Sequence, residues 1–261
     1  MEYKGKYALI TGASSGIGLA YAEEFARRGS NLILVARRED LLYKVAEKIG
    51  EFSKAKVTVI AMDLASLEAG RILSDKIQAL KLKVDFLVNN AGFGTNARIV
   101  DEDRETIQKE MILNMVTLVD LTAVFLKPML KRNFGAIVNI ASTASYQPVP
   151  GMAVYAATKS FVRSFTTAVW GEVSESNVRV LTVSPGATKT EFFDVAGAKP
   201  STAMAPVENV VKTTFKALDS RGSKPEVIDG GTNSGMAKVS TMLPRGLVTK
   251  VAASMFLPKA K

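Results

Sequence analysis

Short apolar runs rich in β-branched residues alternate along the chain with longer stretches in which apolar positions recur every three or four residues. The runs cover 7–11, 31–36, 57–61, 85–89, 136–140, 178–184 and, more weakly, 226–228. They are continuous in hydrophobicity rather than alternating, as strands buried on both faces are. The helical stretches between them are 17–28, 39–51, 67–80, 104–132, 152–174 and 207–218. Gly29 follows the first of these where a helix-terminating glycine belongs. Strands alternating with helices predict an α/β fold, a doubly wound seven-stranded parallel sheet flanked by helices on both faces. No linker, repeat or low-complexity block interrupts the pattern, so one domain is expected over residues 1–230. Residues 231–261 form a basic amphipathic extension, packed on that domain or on a partner subunit.

Composition narrows the chemistry. The chain has no histidine and no cysteine. Disulfides and thiolate metal sites are excluded, no metal site is expected, and acid–base work must fall to tyrosine, lysine or carboxylates. Hydrophobic residues make up 47% of the chain, enough for a substantial core. No unbroken apolar run reaches the ~18–20 residues of a membrane span, and the N-terminus enters the first strand too soon for a signal peptide. A cytoplasmic protein is therefore expected. The net charge of +9 favours anionic ligands such as phosphates. The basic residues are spread out and form no stripe with aromatics, so no nucleic-acid partner is expected. After Asp229 acidic residues stop, while Lys238, Arg245, Lys250, Lys259 and Lys261 remain.

A glycine-rich turn, Gly12-Ala13-Ser14-Ser15-Gly16-Ile17-Gly18, joins the first strand to the first helix. Glycines let the backbone turn sharply and approach a pyrophosphate, and the helix N-terminus offers free N–H groups and a positive dipole. This placement makes the domain Rossmann-like and nucleotide-binding. An NAD site would put a carboxylate at the end of the second strand. Here Arg37 and Arg38 stand there, and guanidinium forks suit an adenosine 2′-phosphate. NADP(H) is the expected cofactor and NAD(H) the weaker fit. Farther on, Tyr155 and Lys159 lie four residues apart, on one face of a helix. An ammonium there is expected to draw the phenol pKa down from ~10 toward neutrality and make it a usable general acid/base.

From about residue 6 to 190 the chain resembles the short-chain dehydrogenase/reductase family, with each motif in order. Residues 11–18 look like its cofactor turn. Asp63 and Leu64 match the position that contacts adenine. Asn89, Asn90, Ala91 and Gly92 match the element that lines the cofactor and steadies the sheet. Asn114, Ser142, Tyr155 and Lys159 match its catalytic residues. Pro185, Gly186, Thr188 and Thr190 match the turn that contacts the nicotinamide amide and the phosphates. The resemblance implies that Ser142 holds the substrate oxygen and Tyr155 exchanges its proton. It also implies that Lys159 stabilises the phenolate and binds the nicotinamide ribose, while Asn114 holds a water leading to solvent. It implies a homodimer or homotetramer built through helices 104–132 and 152–174.

Substrate specificity is expected in loops carrying Phe93, Pro148, Val149, Met152, Phe192, Phe193 and Met204, with Lys189, Glu191 and Asp194 as the few nearby charges. The connection at about 188–206 reads either as a substrate lid or as a plain irregular link. Segment 243–257 places Leu247, Val248, Val251, Ala252, Met255 and Phe256 on one helical face. That face packs on its own domain or a second subunit, or it contacts an anionic membrane peripherally. The surroundings of Asn114 and of residues 188–192 are similar to those of lipid and 3-oxoacyl ketoreductases of the family. The expected function is hydride transfer between NADP(H) and a carbonyl or secondary alcohol, as reduction of an apolar ketone or aldehyde, acyl or lipid-like compounds included. The alternatives are an NAD(P)-linked alcohol dehydrogenase working oxidatively and a non-catalytic dinucleotide sensor, which would need no proton donor.

Overall fold

The computed structural model describes residues 1–200, 203–222 and 224–258. Seven strands form one parallel sheet: β1 (Tyr7–Thr11), β2 (Asn31–Ala36), β3 (Val57–Ala61), β4 (Val84–Asn89), β5 (Gly135–Ile140), β6 (Val178–Ser184) and β7 (Glu226–Ile228). Their order is β3-β2-β1-β4-β5-β6-β7. The chain builds outward from β1 to one edge and then restarts at β4 to build to the other. The reversal between β1 and β4 opens a crevice at the carboxyl ends of the central strands, where open α/β sheets hold their ligands.

The continuous apolar runs have a simple cause. Successive strand residues point to opposite faces, and both faces are covered. Ala8, Ile10, Leu32 and Leu34 face one cluster with Tyr21, Phe25 and Phe215. That layer comes from α1 (Gly16–Arg27), α2 (Glu39–Phe52) and α8 (Val207–Leu218). Leu9, Ile33, Val35 and Leu87 face the other cluster with Leu73, Leu121 and Val169. It is supplied by α3 (Ala69–Ala79), α5 (Thr117–Lys131) and α6 (Ala153–Glu172). Gly29, at φ 82°, terminates the α1 turn, with its N–H donating to Ala26.

The long helix expected at 104–132 is not uniform. It begins as α4 (Arg104–Met111), passes through a π turn over Ile112–Val116 and continues as α5. Over Arg104–Lys131 it is, by length and composition, apolar enough to cross a membrane. Asp120 and Lys127 break the apolar run in sequence, as expected, but leave one face of the helix apolar. That face packs against β4, β5 and α3. Two further helices were not expected from the pattern, α7 (Phe192–Ala196) and α9 (Gly231–Met242), while α10 (Arg245–Phe256) is the helix expected within segment 243–257. Residues 201 and 202 of the 188–206 connection, together with Lys259 and Lys261, lie outside the described residues.

Candidate active site

A cavity of about 950 Å³ occupies the crevice. Every residue expected to bind cofactor or act in catalysis borders it except Gly18 and Asn114, which stand just behind its wall. The glycine turn is shaped from below. Gly12 and Gly16 adopt φ of 65° and 56°, a region open to glycine. The Asn90 amide donates to the Thr11 and Gly12 carbonyls at 3.0 and 3.2 Å, while the backbone N–H groups of Asn90 and Ala91 donate to the Thr11 hydroxyl. The first turn of α1 carries no carboxylate, and Ser15 makes no side-chain cap among the described residues. Its N–H groups are left for an anion.

The two arginines differ. Arg38 Nη2 donates to Ser15 Oγ at 2.9 Å and to Glu191 Oε2 at 2.8 Å, and Ser15 Oγ also donates to Glu191. Arg38 and Ser15 together hold the Glu191 carboxyl below its ordinary range. Glu191 is thus a strap over the phosphate end of the crevice rather than a substrate-loop charge, as sequence had placed it. Arg37 borders the same end, is exposed, and has no side-chain partner among the described residues.

Ser142 follows β5, where its hydroxyl accepts the Ala144 N–H at 3.1 Å. Tyr155 lies in the first turn of α6, its ring 5.0 Å from that of Phe192. A Cβ on Gly94 would come within 2.7 Å of the Tyr155 ring, so the loop from β4 can close on the ring only because residue 94 has no side chain. Lys159 Nζ donates to the Ile140 carbonyl at 2.9 Å and stands 5.7 Å from the Tyr155 ring centroid. Asn114 occupies the π turn, with its amide donating to the Phe93 carbonyl and to Thr158 Oγ1. Gly92 separates Asn114 from Lys159, and a Cβ there would fall 2.8 Å from Asn114 Oδ1 and 3.3 Å from Lys159 Nζ.

Burial sets the proton affinities. It pushes the Tyr155 phenol up to about 12, partly offset by the Ser142 hydroxyl and reinforced by the charge of Glu110. It pushes the Lys159 ammonium down to about 8, with Glu110 opposing. The expectation that the ammonium would draw the phenol toward neutrality is corrected here, because desolvation is the largest influence on each group and favours its neutral form. The phenol is held protonated at neutral pH, which suits a proton donor.

Glu110 was not foreseen. It sits on α4 four residues before Asn114 and is fully buried. One carboxylate oxygen accepts from Thr95 Oγ1 at 3.2 Å, and the other has no partner among the described residues. Burial raises its pKa to about 7. The legible signal was a carboxylate at helical spacing from Asn114, at the point where the polar α4 sequence gives way to the apolar Met111-Ile112-Leu113. Glu110 is the group that raises the Lys159 pKa, so Glu110→Gln is expected to move the alkaline limb of the kcat/KM–pH profile to lower pH, below about 8. Wild type and variant should converge below pH 7, where Glu110 takes up its proton. Superimposable profiles across pH 6–9 would show that the two groups do not communicate.

Sequence also missed the roof. The apolar face of α10 lines the cavity through Leu247, Val248, Val251, Ala252, Met255 and Phe256, and α9 adds Asn233, Met236 and Val239. Asn233 donates to the Asp229 carbonyl at 2.7 Å and approaches Gly186 so closely that a Cβ there would meet it at 2.2 Å. The end of α10 is tied down by Asn96, whose amide donates to the Phe256 carbonyl at 2.9 Å. Thr188 and Ala205 pair as an isolated bridge, which closes the base of the 188–206 connection. Phe93, Val149, Met152, Phe192 and Phe193 border the cavity as expected; Pro148, Met204, Lys189 and Asp194 do not.

Residues 6–200 match the family described as short chain dehydrogenase. The very-long-chain 3-oxoacyl-CoA reductase of Bos taurus is 32% identical over 255 residues, spanning 95% of this chain and 78% of the relative. A short-chain dehydrogenase from Sphingobium yanoikuyae, solved in complex with NADPH, superposes with a TM-score of 0.82 at 32% identity, covering 93% of this chain and 94% of that one. The bulky-bulky ketone specific alcohol dehydrogenase of Comamonas testosteroni gives a TM-score of 0.77 at 29% identity, covering 93% of each chain. These findings overturn the cytoplasmic expectation. It rested on the want of an unbroken apolar run and of a signal peptide, and against it stand relatives named for very-long-chain acyl thioesters, amphiphiles that partition to membranes.

Proposed function

This chain belongs to the short-chain dehydrogenase/reductase family and is an NADP(H)-linked oxidoreductase, and from that premise we propose that it reduces the keto group of a long-chain 3-oxoacyl thioester. The observation that carries the reading is the meeting of Ser142, Tyr155 and Lys159 at the polar floor of a cavity whose roof is the apolar face of α10.

The crevice fits the cofactor by its own chemistry. The α1 N-terminus and the glycine turn suit a pyrophosphate, Arg37 suits a 2′-phosphate, and Asp63 and Leu64 border the adenine end. Bound there, the nicotinamide supplies the hydride. The remaining work falls to side chains. Ser142 donates a hydrogen bond to the keto oxygen and fixes its position. Tyr155, held protonated by burial, gives that oxygen its proton. Lys159 stabilises the phenolate left behind and, as an ammonium, can bond ribose hydroxyls. Asn114 steadies Phe93 and Thr158 beside Lys159, and Glu110 keeps the ammonium charged. Members of the family assemble as oligomers, and a homo-oligomer through α5 and α6 is part of this reading, with Val124, Leu130 and Phe161 exposed on those helices. A dinucleotide sensor is not favoured, since such a role gives the buried phenol nothing to do.

The test follows NADPH absorbance with 3-oxoacyl thioesters of increasing chain length, beside bulky and steroid ketones. We expect kcat/KM to rise with chain length. A flat series, or a preference for compact ketones, overturns the acyl reading.

The 2′-phosphate role is checked separately. Arg37→Ala is expected to weaken NADPH by about 10- to 100-fold, as loss of charge-assisted hydrogen bonds does, and to leave NADH within about twofold. Equal loss for both cofactors would remove Arg37 from that role. Arg38, already paired with Glu191 and Ser15, should show the smaller discrimination.

A further inference from the structure

Helices α9 and α10 expose apolar side chains on the outside as well as lining the cavity. Met242 is 84% exposed, and Val239, Leu247, Val251 and Met255 are each more than half exposed. The last four also border the cavity, so the rim of its mouth is apolar and faces outward. Soluble surfaces rarely group so many exposed apolar residues on adjoining helices without an interaction to cover them. The charge of the same segment is one-sided. From Gly230 to Pro258 there is no carboxylate side chain, while Lys238, Arg245 and Lys250 are exposed and without an ion-pair partner among the described residues.

We propose that the α9–α10 roof seats on the surface of a membrane containing anionic lipid, and that the cavity mouth opens there toward the acyl region. This rests on the reading of a long-chain acyl substrate and names where that substrate enters. Two observations favour a lipid surface over a second copy of the chain. The basic residues have no acidic counterpart in the segment, so two copies meeting through this face would repel, whereas anionic headgroups attract it. The apolar rim is continuous with the cavity, so a chain can pass from lipid to cleft without crossing water. The geometry is that of an interfacial helix pair lying in the membrane plane, with apolar residues in the headgroup boundary and lysines beside them.

The test uses the full chain and vesicles of phosphatidylcholine, with or without phosphatidylserine. We expect sedimentation with the anionic vesicles at low salt, at least about tenfold stronger than with phosphatidylcholine alone and weakened by high salt. Met242→Glu, which lies outside the cavity lining, should cut vesicle binding at least about tenfold. It should leave reduction of a short, soluble 3-oxoacyl thioester unchanged. Lys238→Glu combined with Lys250→Glu should do the same. The proposal is overturned if wild type stays in the supernatant at low salt, or if Met242→Glu binds vesicles as well as wild type. It is also overturned if Met242→Glu alters only the oligomer measured by gel filtration, in which case a second copy covers the face. Sedimentation needs no substrate, so a failure to reduce any acyl thioester defeats the functional reading without touching the membrane result.

Discussion

Tyr155→Phe is expected to lower kcat by about a thousandfold while NADPH affinity stays within about twofold of wild type. The substitution removes one oxygen and keeps the ring. The ring is what packs on Phe192 and beneath Gly94, so the pocket keeps its shape. The oxygen is the proposed donor, which burial holds protonated, and the Ser142 hydroxyl that faces it retains its bond from the Ala144 N–H. Losing a positioned general acid costs about 10²- to 10⁴-fold in other enzymes, and no histidine stands by to replace it here. Steady-state turnover paired with a fluorescence titration of NADPH separates the two effects. Retention of a tenth of the activity, or loss of NADPH binding in parallel, would take the proton transfer away from Tyr155.

The second large effect is structural in origin. Gly18→Ala is expected to weaken NADPH by more than about a hundredfold and to lower the melting temperature, because overpacking at rigid backbone is poorly relieved. A Cβ on Gly18 would sit 2.2 Å from the Gly12 carbonyl oxygen and 2.7 Å from the Asn90 amide nitrogen. Neither is the free end of a flexible chain. The oxygen belongs to the turn and the amide holds that turn in place, so α1 must move away from β1 and carry its N-terminal N–H groups with it. Gly50→Ala is the control. Nothing lies within 4 Å of a Cβ there, and the same change should stabilise α2 by up to about 1 kcal/mol. Intact NADPH binding in Gly18→Ala would mean that the helix does not need its close approach to the strand.

The sheet was legible because burial on both faces writes itself into sequence as an unbroken apolar run. Only the first residues of β4 and β5 escaped, Val84 and Gly135, where the chain enters the strand from a turn. The candidate catalytic and cofactor positions gather around one crevice because strand ends and motif spacings locate them without knowledge of packing. What escaped depends on contacts between distant segments. Helix α9 was hidden because Gly231, Gly235 and several hydroxyl residues erase its periodicity; it is held by its place over the cleft, with Asn233 against Gly186. Glu110 belongs to no motif that singles it out, and only the packing of α4 buries it against Thr95. The direction of the Tyr155 shift needed the depth of burial, which spacing does not carry. The amphipathic face of α10 was visible, but whether it covered a core or a cavity was decided by the crevice beneath it.

The glycine turn owes its shape to a partner far along the chain. Four bonds from Asn90 and Ala91 hold Thr11 and Gly12. The cradle is therefore a contact between segments some eighty residues apart, and a change at Asn90 should disturb it as surely as a change in the glycines themselves.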